Sequence, residues 1–168
     1  MHIHGRRKIN LRVPDDGPVH LTPDGRKRIA DELVRLKHEL PALALEAQRT
    51  AAYGDRSENA EYKEAKSTLR RTQRRIWTLE DRLKRVAIIP IGKNQSGKIA
   101  LGSTVVLASD AHTRAMYQIL GPHETNPEKG RISHLSPLGS ALIGKRKGET
   151  VEIQTPGGSS TYRIVEIR

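Results

Sequence analysis

The sequence has no cysteine and no phenylalanine, and aromatic residues make up 3% of its 168 positions. Without cysteine the chain can form neither a disulfide nor a thiolate metal site, so we expect a reducing, cytoplasmic environment. Large apolar side chains are scarce, which excludes a single large core. Apolar runs are too short to cross a bilayer, and the start of the chain lacks the apolar segment of a secretory signal. We therefore expect no membrane partner.

Acidic residues are also few, with 19 Asp and Glu against 30 Lys and Arg, and the formal net charge is +11. An excess of positive charge favours a polyanionic partner, either nucleic acid or a machine that handles it. The alternative is a protein whose surface is basic without a dedicated partner. Charge alone leaves both interpretations open.

The first half of the chain has a helical period. Residues 1–20 form a basic arm without a repeating apolar pattern, and apolar residues then recur at steps of three and four through residues 21–89. This heptad pattern is interrupted only at residues 54–59, and two heptad helices joined by a short link must run antiparallel. Thr22 is suited to cap the first helix and Pro23 to its first position. We predict an antiparallel coiled-coil hairpin.

The second half has a period of two. After a linker at residues 90–97, β-rich runs separated by turn residues fill residues 98–168, and "SPLGSALIG" reads as one short helix. The predicted fold class is therefore α+β: an N-terminal coiled-coil hairpin followed by a small antiparallel β-sheet domain with a short helix.

The break between the helices concentrates acids in a basic chain, within the stretch "AAYGDRSENAEYKEAK" at residues 51–66. One interpretation is local: Asp55 caps the second helix and Glu58, three residues on, completes a capping box. In the other, the two carboxylates form one side of a Mg²⁺ site. Mg²⁺ takes six oxygen ligands, so a projecting tip could hold only half of that site, and another molecule would complete it.

Beyond the acids, the second helix carries a basic stripe, defined as Lys66, Arg70 and Arg74, which follow one another at steps of four. Like charges at this spacing destabilise an isolated helix, and residues 65–79 contain no acid to offset them. A stripe of this kind suits contact with phosphates. The competing interpretation is a solvated helix face.

With these features in place, the sequence resembles the bacterial Gre transcript-cleavage factors over residues 19–168. The most specific match is "GDRSENAEY" at the turn of the hairpin, supported by "YQILGPHE", "ISHLSPLGSALIGKRKGE" and "VEIQTPGGSSTYRI". The spacing of Lys66, Leu69, Arg70, Arg74 and Arg75 looks more like the GreB branch than the GreA branch.

The resemblance implies an FKBP-like second half and a factor that is not catalytic alone. The hairpin would enter the secondary channel of RNA polymerase, and the C-terminal domain would dock at its rim. Asp55 matches the acid assigned to a second Mg²⁺, which the polymerase also holds, and Glu58 the acid assigned to the attacking water. The basic stripe would then lie along the 3′ segment of the nascent RNA. For docking, the first residues to consider are Ser136, Pro137 and Leu138, although Leu138 could equally pack in the core.

Three other functions are compatible with parts of the pattern. A protein that binds the same channel only to inhibit it should differ in the tip acids, whereas Asp55 and Glu58 are both present. An FKBP-like prolyl isomerase needs an aromatic-lined pocket, for which this half offers only Tyr117 and Tyr162. Non-specific DNA binding by the basic hairpin is a further expected side activity.

Overall fold

A computed structural model describes most of the chain, namely residues 17–52, 59–92, 96–109, 113–155 and 158–168. The first sixteen residues of the predicted arm, and both Asp55 and Glu58, lie outside the described residues. The predicted fold class is confirmed: a long helical N-terminal region precedes a β-sheet domain whose strands are mainly antiparallel.

The first helix, α1 (Pro23–Ala51), begins as its sequence predicts. The hydroxyl oxygen of Thr22 accepts a hydrogen bond from the Gly25 N–H at 2.9 Å, and Pro23 occupies a position where no N–H is needed. Pro41 lies inside the helix without ending it. The apolar pattern therefore keeps its phase on both sides of that proline.

The second helix, α2 (Ala60–Lys84), is capped by Asn59, whose side-chain oxygen accepts from the Tyr62 N–H at 2.9 Å. The prediction that Asp55 caps this helix is therefore wrong. The Asn59 amide also donates to the Thr50 carbonyl at 2.9 Å, so it ties the end of α1 to the start of α2. One asparagine thus satisfies backbone groups of both helices.

The two helices pack along the predicted seam. Leu36, Ile76 and Leu79 are buried between them, and Ile29, Leu33 and Leu40 pack against this cluster. Two ion pairs join the helices outside the seam, Glu32 with Arg75 at 2.8 Å and Lys37 with Glu80 at 2.6 Å. Apolar contacts hold the hairpin together, and the charged pairs favour one register.

Two short strands close the base of the hairpin. Strand β1 (Val19–Leu21) pairs in parallel with β2 (Val86–Ile88), and the side chains of Val19 and Leu21 are buried. This corrects two expectations, because residues 19–20 had been assigned to the arm and Val86 to the helical seam. The short pair fixes where both helices leave the body of the protein.

The remaining strands form a five-stranded sheet of order β5-β4-β3-β7-β6. Their bounds are Thr104–Ser109 (β3), Arg114–Leu120 (β4), Arg131–Ser133 (β5), Thr150–Thr155 (β6) and Gly158–Ile167 (β7). Neighbours are antiparallel except for the β4–β5 pair, which is parallel. The predicted short helix is α3 (Pro137–Leu142), and its Leu142 is buried in the sheet's core.

The hairpin is joined to the sheet domain by a buried carboxylate. Glu124, in a 3₁₀ turn (Pro122–Glu124) after β4, accepts hydrogen bonds from the Thr22 N–H at 2.6 Å and the Thr22 hydroxyl at 2.7 Å. Arg28 of α1 donates a third at 2.9 Å. A side chain at Gly25 would collide with this carboxylate, since its Cβ would lie 2.1 Å from an oxygen. The C-terminal domain thereby completes the cap of α1.

No helix among the described residues is both long and apolar enough to cross a membrane.

Candidate functional site

The end of the hairpin farthest from the sheet is the first part of the site. Asn59 holds the last turn of α1 beside the first turn of α2 there, and only residues 53–58 join the two helices. At 1.5 Å per residue, the 25 residues of α2 separate this end from β2 by about 37 Å. Asp55 and Glu58 belong to the joining segment, outside the described residues. The capping interpretation no longer accounts for Asp55.

Of the acids that follow, Glu64 is already occupied. It accepts hydrogen bonds from Arg71 at 2.8 Å and from the Thr68 hydroxyl at 3.1 Å. These bonds, that of Arg71 above all, lower the pKa of Glu64 from its usual value. The side chain is 71% exposed, so this pairing adds little stability, but it neutralises the carboxylate. In the described part of the chain, no group of three or more His, Asp or Glu residues is placed to hold a metal ion.

The basic stripe is the second part of the site. Together with three neighbours it lines a shallow surface depression of about 400 Å³, whose residues are Lys63, Lys66, Ser67, Arg70, Arg71 and Arg74. Lys66 lies 5.1 Å from the ring centroid of Tyr62. Within the described ranges, no carboxylate forms an ion pair with any of the three stripe residues. Their positive charges are available to a ligand.

The adjacent face of α2 differs, because its cations are engaged. Arg75 donates two hydrogen bonds to Glu32 of α1, at 2.8 and 2.9 Å, and this contact lowers the pKa of the Glu32 carboxyl. Close to the sheet, Arg85 pairs with Asp81 at 2.6 Å. Charges of both signs therefore serve hairpin packing on one face, while the stripe on the other face stays unneutralised. A generally solvated basic helix would not show this separation.

The predicted docking residues have unequal roles. Ser136 caps α3, since its hydroxyl accepts from the Gly139 N–H at 3.1 Å and donates to the Ser133 carbonyl at 2.7 Å. Leu138 packs against the core of the sheet domain, in line with the alternative left open for it. Pro137 is exposed, and the neighbouring Leu135 is 68% exposed. The accessible apolar surface here thus consists of Pro137 and Leu135.

Comparison with known proteins agrees with this architecture. Residues 19–88 match the family described as "Transcription elongation factor, N-terminal", and residues 94–168 match "Transcription elongation factor, GreA/GreB, C-term". GreA of Rhodospirillum rubrum is 40% identical over 152 residues, which cover 89% of this chain and 97% of that protein. The chain belongs to the GreA/GreB family of transcription elongation factors. GreA of Bradyrhizobium diazoefficiens is 41% identical over 151 residues, covering 89% of this chain and 96% of that protein.

Among solved structures, the Gfh1 protein of Thermus thermophilus, described as a GreA factor homologue, is 32% identical. The alignment covers 90% of this chain and 99% of that one, with a TM-score of 0.40. The narrower prediction of a GreB-like branch is not supported, because the similar relatives are named GreA. The Gre family assignment itself does not depend on the branch.

Two residues of this Gre-family chain escaped the sequence analysis. Glu124 lies 102 positions from its partner Thr22, so no local pattern could indicate the contact. Trp77 was passed over because it follows the seam residue Ile76, yet it is 68% exposed. Its steps of three from Arg74 and seven from Arg70 were the available signal, since they place it on the face of the basic stripe.

Proposed function

We propose that this Gre-family factor inserts its hairpin into the secondary channel of RNA polymerase and stimulates the polymerase's own cleavage of backtracked RNA. The observation that carries the proposal is the separation of charge on α2: a basic stripe without carboxylate partners begins about one turn after the acidic end of the hairpin. An acidic end can serve chemistry on a phosphodiester, and the stripe can hold the strand that carries it.

In this proposal Asp55 and Glu58 act as a half-site. Asp55 would help to hold Mg²⁺, and Glu58 would orient the water that attacks the phosphodiester. Carboxylates are ligands that Mg²⁺ prefers, and two of them leave most of its six positions open, so the polymerase must supply the rest. When bound, the ion stabilises the charge on the attacking and leaving oxygens. The factor is therefore an activator without catalytic activity of its own.

The basic stripe would contact the phosphates of the extruded RNA. Such contacts position a strand without reading its sequence, so the factor should serve transcripts of any sequence. The same charges would give weak, salt-sensitive binding to DNA as a side activity. Because its target is the transcription machinery, we expect the protein to act in the bacterial cytoplasm.

The sheet domain would dock at the rim of the channel. Pro137 and Leu135 are the exposed residues for this contact, while Ser136 shapes the turn that presents them. The distance of about 37 Å along α2 separates docking from chemistry. Loss of docking should therefore weaken binding to the polymerase without altering the chemistry of bound complexes.

The test is cleavage of end-labelled RNA in backtracked elongation complexes, with polymerase binding measured in parallel. Asp55→Asn and Glu58→Gln should each abolish stimulated cleavage while binding stays nearly unchanged, and added Mg²⁺ should partly restore the Asp55 variant. Glu61→Gln is the matched control, since it removes a carboxylate from the first turn of α2. Wild-type protein that binds but does not stimulate cleavage would instead be a channel-binding inhibitor.

A further inference from the structure

Trp77 is an exposed aromatic residue in the middle of a polar helix. It is the only tryptophan of the chain, and 68% of its surface is exposed. Its indole makes no hydrogen bond, ring contact or cation contact with any residue of the described ranges. The hairpin therefore does not use this side chain for its own packing.

The position of Trp77 is more informative than its exposure. It lies three residues after Arg74 and seven after Arg70, so the three side chains share one face of α2. Its Cα is about 4.5 Å beyond that of Arg74 along the axis and about 16 Å from that of Lys66. Trp77 thus extends the basic stripe toward the sheet, within the acid-free residues 65–79.

Single exposed apolar residues are common and need no special explanation. Val34 and Leu45 on α1 are as exposed as Trp77, at 69% and 66%. Those two, however, lie on the helix that carries both charges, including the Arg35–Glu39 and Arg49–Glu46 pairs. Trp77 instead ends a row of unpaired cations. Charge complementarity therefore favours an anionic occupant that also has a flat apolar part.

We propose that Trp77 stacks on a base of single-stranded RNA whose phosphates lie along the basic stripe. Cationic grooves combined with aromatic platforms bind single strands in this way, and the contact tolerates any sequence because every base has a flat face. The inference rests on the proposed function, to which it adds a contact with a base. It also predicts how far the strand extends: one that reaches Trp77 must first pass Lys66, Arg70 and Arg74.

The first test uses the full-length protein and the intrinsic fluorescence of its one tryptophan. An oligouridylate of about eight nucleotides should quench this fluorescence on binding. An abasic ribose-phosphate chain of equal length should bind through its phosphates and leave the emission almost unchanged. Equal quenching by both chains, or quenching by neither, would overturn the stacking contact.

Variants supply the second measurement, read from labelled RNA so that it does not depend on tryptophan. Trp77→Ala should weaken oligouridylate binding about fivefold to tenfold, the lower part of the range for a stacked base, and should not change binding of the abasic chain. Trp77→Phe should retain much of the affinity. Leu45→Ala is the control, because it removes a similarly exposed apolar side chain from α1. Equal affinities for Trp77→Ala and wild type would refute the proposal.

Backtracked complexes then separate this inference from the function on which it rests. If wild-type protein does not stimulate cleavage at all, the proposed function fails, whatever the RNA titrations show. If wild type cleaves and Trp77→Ala loses rate only where the extruded RNA is long enough to reach Trp77, stacking is supported. An equal loss at every backtrack depth, with weaker binding to complexes that have no extruded RNA, would assign Trp77 to a polymerase contact and overturn the proposal.

Discussion

Glu124→Gln tests whether the sheet domain holds the hairpin through one carboxylate. The side chain is 4% exposed and accepts hydrogen bonds on both oxygens, from the Thr22 N–H on one, and from the Thr22 hydroxyl and Arg28 on the other. Glutamine has nearly the same shape but replaces one oxygen with an NH₂ group. Whichever oxygen is replaced, a new donor then faces an existing donor, either the Thr22 N–H or Arg28.

The expected size of the effect follows from these contacts. A hydrogen bond to a charged acceptor contributes about 1.5–3 kcal/mol, and a buried donor left without a partner costs about 1–3 kcal/mol. We therefore expect Glu124→Gln to lower the free energy of unfolding by about 2–3 kcal/mol. For a chain of this length that corresponds to a fall in melting temperature of roughly 5–10 °C. Arg28→Gln is the control, because Arg28 is 58% exposed and its share of the ion pair should stay below about 1 kcal/mol.

Urea unfolding should be followed by circular dichroism, which reports all helices, and by the fluorescence of Trp77, which reports α2 alone. In wild type the two signals should change together, because Glu124 couples the hairpin to the sheet. In Glu124→Gln the fluorescence transition should move to lower urea than the unfolding of the sheet domain. If Glu124→Gln is no less stable than Arg28→Gln, the buried carboxylate does not hold the two parts together.

Three further perturbations follow from particular contacts. Arg75 lowers the pKa of Glu32, so this pair stabilises the fold above the ordinary value of 4.5 and is lost as pH falls through the lower folded value; Glu32→Gln should cost about 0.5–1 kcal/mol at neutral pH and nothing in acid, and urea titrations showing equal cost at both would refute the assignment. Gly121→Ala would place a Cβ 2.1 Å from the His20 carbonyl oxygen, and thermal melts should show a loss of about 1–3 kcal/mol unless β1 can shift freely. Replacing the basic stripe with three Gln residues should impair rescue of deeply backtracked complexes only and reduce its salt dependence, by a slope of about 0.7 per phosphate lost, whereas equal impairment at all depths would indicate a polymerase contact.

The elements that sequence analysis predicted are those whose signal is local. The heptad residues from Ile29 to Leu83 specify the hairpin seam, and Thr22 with Pro23 marks the start of α1 through neighbouring atoms. The short helix α3 is likewise indicated by its own capping serine. In each case the residues that determine the structure lie within a few turns of one another, so their spacing carries the information.

What could not be predicted depends on residues that are distant in sequence. Strands β1 and β2 have three residues each, too few to show a period, and they form only because the hairpin returns Val86 beside Val19. The parallel pairing of β4 with β5 similarly follows from how the chain crosses the sheet. At the tip, a capping box and an Asn cap are both acceptable to α2 locally, and the cross-helix bond from Asn59 to Thr50 favours the asparagine. Long-range partners decided each of these points.

The basic stripe joins these structural points to function. The like charges of Lys66, Arg70 and Arg74 at i, i+4 and i+8 work against helix stability, by a few tenths of a kcal/mol for each pair. Elsewhere the hairpin relieves such repulsion with a carboxylate, as Arg71 does with Glu64 and Arg75 with Glu32. The residues from 65 to 79 could accommodate an acid on the stripe's face as easily as they accommodate Trp77. Since packing requires neither the free charges nor the exposed indole, an anionic ligand with a flat apolar part is the common explanation for both.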